Sequence, residues 1–148
     1  MGELSMTRKE REEFLAATHV GLVSVADEGR GPLVLPVWYR YEPGGAVCFT
    51  TEGGSRKAKL LRTVGRATFL VQTETPPYKY VSIEGPVTIT HELDQRRDID
   101  EIAYRYLGRE LGEAYLETTG AAYSGLVLVS IVPERWASAD FTKALPQG

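Results

Sequence analysis

One cysteine, two histidines and no long apolar run leave this 148-residue chain short of the parts that several common chemistries need. A single cysteine, Cys48, allows no intrachain disulfide and no cysteine-based zinc site. It lies in the apolar run Val47-Cys48-Phe49, which reads as a small core residue and not a nucleophile. His19 and His91 are far apart, without ligand spacing, and read as surface or turn residues. Two histidines among many serines announce no Ser-His-Asp triad. No stretch reaches the roughly 18 apolar residues of a membrane span. Residues Met1 to Thr7 are polar and charged, with no apolar signal region. A cytoplasmic protein without membrane contact is therefore expected. Excess positive charge is lacking too: 17 Lys and Arg face 20 Asp and Glu, for a net −3. That argues against a nucleic-acid partner. The acidic residues are scattered, so no general acid–base pair and no metal site is nominated. Gly29-Arg30-Gly31 lacks the third glycine of a dinucleotide fingerprint, and Gly53-Gly54-Ser55-Arg56-Lys57 lacks Walker spacing.

What is present reads as many short strands and a few helices. Thr7-Arg8-Lys9-Glu10 is a capping box opening a helix to about Ala17. Strands are expected at Val20–Ala26, Leu33–Tyr41 (interrupted by Pro36), Ala46–Thr51, Arg66–Thr73, Tyr80–Thr90, Leu126–Val132 and Trp136–Phe141. A helix is expected from Arg56 to about Val64, closed by Gly65. Asp94 can cap another, with Ile99, Ile102, Ala103, Tyr106 and Leu107 at helical spacing, and a further helix covers about Glu110 to Glu117. Strands follow one another through tight turns, which predicts an α+β antiparallel barrel instead of a parallel doubly wound sheet. One domain over 1–148 is expected, with about residues 1–6 disordered.

The stretch Thr50-Thr51-Glu52-Gly53-Gly54-Ser55-Arg56-Lys57-Ala58-Lys59 places three cations in the first turn of a helix. The helix dipole disfavours each there by about 0.3–1 kcal/mol at an exposed site. One reading is a serine-capped helix with solvated lysines. The other is an anion cradle, in which Ser55 and free helix N–H groups donate to phosphate, Arg56 binds it bidentately, Lys57 adds charge, and Thr50 and Thr51 supply hydroxyls.

"FTTEGGSRKAKLL" followed by "YVSIEG", with "PVWYRYEPGG" and "VPERWASADFTK", resembles the pyridoxamine 5′-phosphate oxidase-like split β-barrel superfamily, over about Phe14 to Lys143. The resemblance implies an antiparallel split barrel and a homodimer that binds FMN or the deazaflavin coenzyme F-420 at the subunit interface. It matches the family's phosphate-binding Ser-Arg-Lys to Ser55, Arg56 and Lys57, and the preceding strand-end pair to Thr50 and Thr51. The ring-contacting strand matches Leu35, Pro36, Val37, Trp38 and Tyr39, through backbone groups. The residue leading the "V-x-V-x-G"-type strand matches Tyr80.

Two departures bear on activity. Leu35 stands where the family's oxidases carry an arginine that grips the FMN phosphate. No counterpart of their substrate-binding Arg-Leu-His-Asp-Arg segment follows Trp136. Vitamin B6 oxidation is not expected, and the small deazaflavin-dependent reductases are the better match. The expected function is hydride transfer from reduced coenzyme F-420 to an unsaturated small molecule. Lys59, Arg62 and Lys79 are available to the anionic tail of that cofactor. Alternatives are an FMN-dependent oxidoreductase of the same fold and a non-enzymatic carrier or sensor. The cofactor would carry the chemistry, so no catalytic side chain is nominated. Trp38, Tyr39 and Tyr80 could wall the ring or pack a core or dimer contact; Trp136 has the same ambiguity.

Overall fold

The computed structural model describes residues 2–119 and 124–146. Helix α1 (Arg8–Ala16) opens with the expected reciprocal cap: Thr7 Oγ1 accepts from the Glu10 N–H at 3.2 Å, and Glu10 accepts from the Thr7 N–H at 2.8 Å. Of residues 1–6, for which disorder was expected, residue 1 lies outside the described residues, and two of the others make contacts with the strand Arg135–Asp140. Met6 is buried and donates its N–H to Ser138 Oγ at 3.0 Å, while the Leu4 carbonyl accepts from the Asp140 N–H.

Among the described residues, seven strands make the sheet: β1 (Gly21–Val25), β2 (Leu33–Val37), β3 (Val47–Glu52), β4 (Arg66–Gln72), β5 (Lys79–Thr90), β6 (Leu126–Ile131) and β7 (Arg135–Asp140). Their order is β2-β1-β4-β5-β6-β3, with β7 beside β5 and every pairing antiparallel. Strand β5 serves both halves. Its first part lies between β4 and β7, and Val87–Thr90 then pair with β6. The changeover falls at Gly85, where a Cβ would stand 1.7 Å from the Val132 carbonyl oxygen, so only glycine admits the approach. At the other side, Arg40 and Cys48 exchange both backbone hydrogen bonds, at 2.9 and 3.0 Å. That bridge draws together the two ends of the strand path, β2 and β3. The result is the expected α+β split barrel with flanking helices.

Period-two alternation fills its interior. Val23 and Val25, Phe69 and Val71, Val81 and Ile83, and Val129 and Ile131 are all buried. Phe69 lies over Gly21, where a Cβ would stand 2.0 Å from the ring, and meets Tyr39 edge-on at 4.8 Å. Truncating Phe69 to alanine would cost about 3–5 kcal/mol.

Strand β2 stops at Val37 instead of Tyr41, because the next residues spend their backbone groups elsewhere. Tyr39 turns fully inward and donates its hydroxyl to the Leu15 carbonyl, and its N–H goes to the Tyr106 hydroxyl at 3.0 Å. Pro36 sits on the edge strand, where a missing ladder donor is tolerated.

Helix α2 (Arg56–Val64) has the expected limits, with Ser55 as N-cap and Gly65 at φ +73° as C-cap. Asp94 caps a π-helical turn (Gln95–Asp100) that leads into α3 (Glu101–Thr119). Gly108, at φ +79° and ψ 175°, interrupts α3 between the two helices expected from sequence. From the apolar stripe Ile99 and Ala103 are buried, and Ile102, Tyr106 and Leu107 half-buried. The first part of α3 is pinned to the end of α1: Arg105 Nη2 donates to the Ala16 and Ala17 carbonyls, both at 2.9 Å, and Tyr106 donates to the His19 carbonyl at 2.6 Å.

Candidate functional site

A cleft of about 570 Å³ opens where the barrel is split. Its floor follows from strand register. Cys48, Thr50 and Glu52 are alternate residues of β3, and Thr50 and Glu52 face Leu128 and Leu126 of β6 as direct partners. The segment leaving β2 adds Pro36, Val37, Trp38 and Arg40. The π-helical turn and α3, together a helical arm, add Asp98, Ile99, Ile102 and Tyr115, and α2 adds Lys57.

Trp38 packs against two tyrosines of α3. Its ring stacks on Tyr106 at 5.0 Å and 5°, with Tyr115 tilted against it at 5.5 Å. Burial raises the Tyr106 phenol above its ordinary value, so the hydroxyl stays a donor to His19.

The start of α2 separates its cations. Ser55 Oγ is occupied in capping and accepts from the Ala58 N–H at 3.1 Å; Thr51 is buried behind it, Oγ1 to Oγ 3.4 Å. Arg56 turns away from the cleft and pairs with Asp27. Lys57 points into the cleft, its ammonium 5.9 Å from the Phe49 ring centroid. Among the described residues it makes no ion pair, and burial pushes its ammonium below the ordinary lysine value. Lys59 is exposed. An apolar-walled cleft holding an unpaired, half-buried cation is suited to an anion attached to a flat apolar body.

Of the residues nominated from sequence, Pro36, Val37, Trp38, Thr50 and Lys57 come together in the cleft. Leu35 packs on the barrel core, and Tyr80 sits on β5 opposite Gln72 of β4 and Ala139 of β7. Thr51, Ser55 and Arg56 line the turn behind Lys57 instead of the cleft wall. Sequence reasoning missed Arg40, Asp98 and Tyr115. Asp98 is buried and accepts from Arg40 Nε and Nη2 at 3.0 and 2.9 Å. Burial works to raise its carboxyl pKa, but donors from Arg97, the Asp94 N–H and Arg40 outweigh it and hold it below the ordinary value. Embedded in Arg96-Arg97-Asp98, it carries no sequence mark that distinguishes it from a solvated charge run.

The curled seven-stranded sheet, its flanking helices and the cleft at its split define the α+β split-barrel class. Within it, the chain belongs to the pyridoxamine 5′-phosphate oxidase family, whose model matches residues 7–136. A crystal structure of a conserved hypothetical protein from Mycobacterium tuberculosis is 26% identical and superposes with a TM-score of 0.81, covering 100% of this chain and 94% of that one. An F-420 reductase is similar at 18% identity and TM-score 0.60, over 85% of this chain and 94% of that one. A FAD-binding protein from Mesorhizobium loti is similar at 20% identity and TM-score 0.64, over 90% and 93%. At those identities the last two share the fold. No curated protein matches the chain. Among the described residues, no helix is long and apolar enough to cross a membrane.

Proposed function

We propose that this chain is an oxidoreductase whose cleft binds a deazaflavin or flavin, with coenzyme F-420 ahead of FMN. The carrying observation is Lys57: an unpaired cation, half-buried in a cleft otherwise walled largely by Pro36, Trp38, Ile102, Leu126 and Leu128. A half-buried charge without a counter-ion is costly unless a ligand supplies one. Similarity to an F-420 reductase and to a FAD-binding protein supports the same reading. So does the resemblance at Leu35, which leaves FMN without the arginine that the family's oxidases offer it.

The residues present fit such a group. Lys57 would hold its phosphate, with Thr50 beside it on β3, while Trp38, Ile102 and Leu128 would flank its ring and exclude water. When bound, the cofactor would supply the hydride chemistry for an unsaturated small molecule. A homodimer of single-domain split barrels is expected to complete the site.

The test is titration of the protein with FMN and with F-420, followed by absorbance and fluorescence, and repeated on Lys57→Ala. Binding of F-420 that is weakened by about 10- to 100-fold in the variant is expected, the worth of one charge-assisted contact. Tight FMN binding without F-420 binding would reverse the cofactor order. Unchanged affinity in Lys57→Ala would remove the basis for placing the phosphate there. Light scattering should give a dimer at micromolar concentration.

A further inference from the structure

Two guanidiniums converge on one carboxylate beside the cleft. Arg40 reaches Asp98 Oδ1 through Nε and Nη2, at 3.0 and 2.9 Å. Arg97 donates through Nε to Oδ1 and through Nη2 to Oδ2, both at 3.2 Å, and the Asp94 N–H donates to Oδ2 at 2.9 Å. The Asp98 side chain is wholly enclosed, whereas Arg40 keeps 25% of its side chain exposed and lines the cleft. Asp94, whose carboxylate caps the same turn, also acts on Arg97, so the two guanidiniums are shared between two carboxylates, and what Arg40 offers the cleft is unused donor capacity and not a net charge. Among the described residues, Arg40 Nη1 makes no hydrogen bond. Among the described residues, the acidic ones on the cleft wall are Asp98 itself and Glu52, an exposed residue at the end of β3.

The placement of Asp98 differs from that of a surface ion pair. It comes from a π-helical turn, a rare geometry that is frequent at functional sites. Asp98 fixes the Arg40 fork before any ligand arrives, which removes most of the rotamer entropy that a free arginine would lose on binding.

We propose that Asp98 is a positioning residue that sets the Arg40 guanidinium as an oxyanion receptor in the cleft, and that the substrate class is a small carboxylate with an apolar or aromatic body. The substrate assignment rests on the cofactor reading above; the receptor can be tested without a cofactor. The carboxylate would meet Arg40, and the body would lie in the same cleft against whatever part of its apolar wall the cofactor ring leaves open.

Trp38 reports on this cleft, and Trp136→Phe leaves it as the sole tryptophan. In that background, benzoate is titrated against Trp38 emission, with neutral benzamide in parallel. Saturable binding of benzoate and much weaker binding of benzamide are expected. Arg40→Met should weaken benzoate by about 10-fold or more, the scale of one charge-assisted bidentate contact. Asp98→Asn removes a negative charge beside Arg40, which by charge alone would tighten benzoate, so a several-fold weakening in a folded variant is the signature of lost positioning, and unchanged or tighter binding overturns the role of Asp98. Near-ultraviolet circular dichroism checks the fold of each variant; if Asp98→Asn unfolds, Arg40→Met decides. Equal binding of benzoate and benzamide, or an Arg40→Met variant that binds benzoate like its parent, overturns the receptor. Arg40→Met that weakens FMN or F-420 but not benzoate also overturns it, by giving Arg40 to the cofactor. Arg40-dependent benzoate binding in a protein that takes neither FMN nor F-420 sinks the cofactor reading and leaves the receptor standing.

Discussion

The two cationic walls of the cleft are built in opposite ways. At the start of α2 the charged residues are chain neighbours, Arg56 and Lys57, whereas Arg40 and its carboxylate partner Asp98 lie 58 residues apart. Adjacency did not make Arg56 and Lys57 equivalent. Successive helix residues project about 100° apart, so one turns to Asp27 and the other into the cleft. The unfavourable placement of cations at a helix N-terminus is thereby answered for Arg56 by an acid of this chain, and left unanswered for Lys57. In the second wall the logic is reversed: the carboxylate is buried and supplied with several donors, and the partly exposed Arg40 that it holds faces the cleft. A motif read along the chain identifies charges; which of them remains available to a ligand depends on the partner each one finds.

The largest effect expected from breaking this contrast is on stability. Asp98→Ala strands a mostly enclosed Arg40 guanidinium, so urea unfolding should show a loss of about 2–4 kcal/mol. A loss below about 1 kcal/mol would mean that both arginines find water and that the cluster resembles a surface pair. The same variant has a pH signature. The Asp98 pKa is depressed in the fold, so its contribution is present above the ordinary carboxylate pKa of about 3.9 and is lost as pH falls through the folded value. Asp98→Ala should therefore flatten that part of the acid limb.

The next effect is on ligand affinity and separates neighbours. Lys57→Ala should weaken cofactor binding by about 10- to 100-fold, and Arg56→Ala by less than about 3-fold, both read by fluorescence titration. Equal losses would show that Arg56 leaves Asp27 when ligand binds and would erase the contrast. Without ligand, Lys57→Ala should leave the melting temperature unchanged or raise stability by a few tenths of a kcal/mol, since a cation there opposes the helix dipole. The smallest effect belongs to Asp27→Asn, which removes the acid from Arg56. Its cost in thermal unfolding should be about 0–1 kcal/mol, the range for a pair whose arginine is about half exposed, with cofactor affinity unchanged.

Much of the fold was legible because its signals are local. The Thr7–Glu10 box, the limits of α2 between Ser55 and Gly65, and the alternation of Val81 and Ile83 each depend on residues a few positions apart. The end of β2 was not legible, because Tyr39 gives its N–H to Tyr106, 67 residues away, and leaves the strand. The site was half legible for a similar reason. Pro36, Val37, Trp38, Thr50 and Lys57 share the cleft, but Leu35 is taken up by core packing and Tyr80 by a distant stretch of β5. Nothing in the composition of Arg96-Arg97-Asp98 signals that its acid is buried under two guanidiniums.

The sequence by itself determined the caps, turns, strand alternation and the cluster of cations at α2, because propensity, hydrogen-bond reach and side-chain period act over a few residues. Only the tertiary structure decided which cations face the cleft. That choice depends on closure of the barrel at the Arg40–Cys48 bridge and on the helical arm that carries Asp98 back to it, and contacts between such distant residues leave no local trace in the chain.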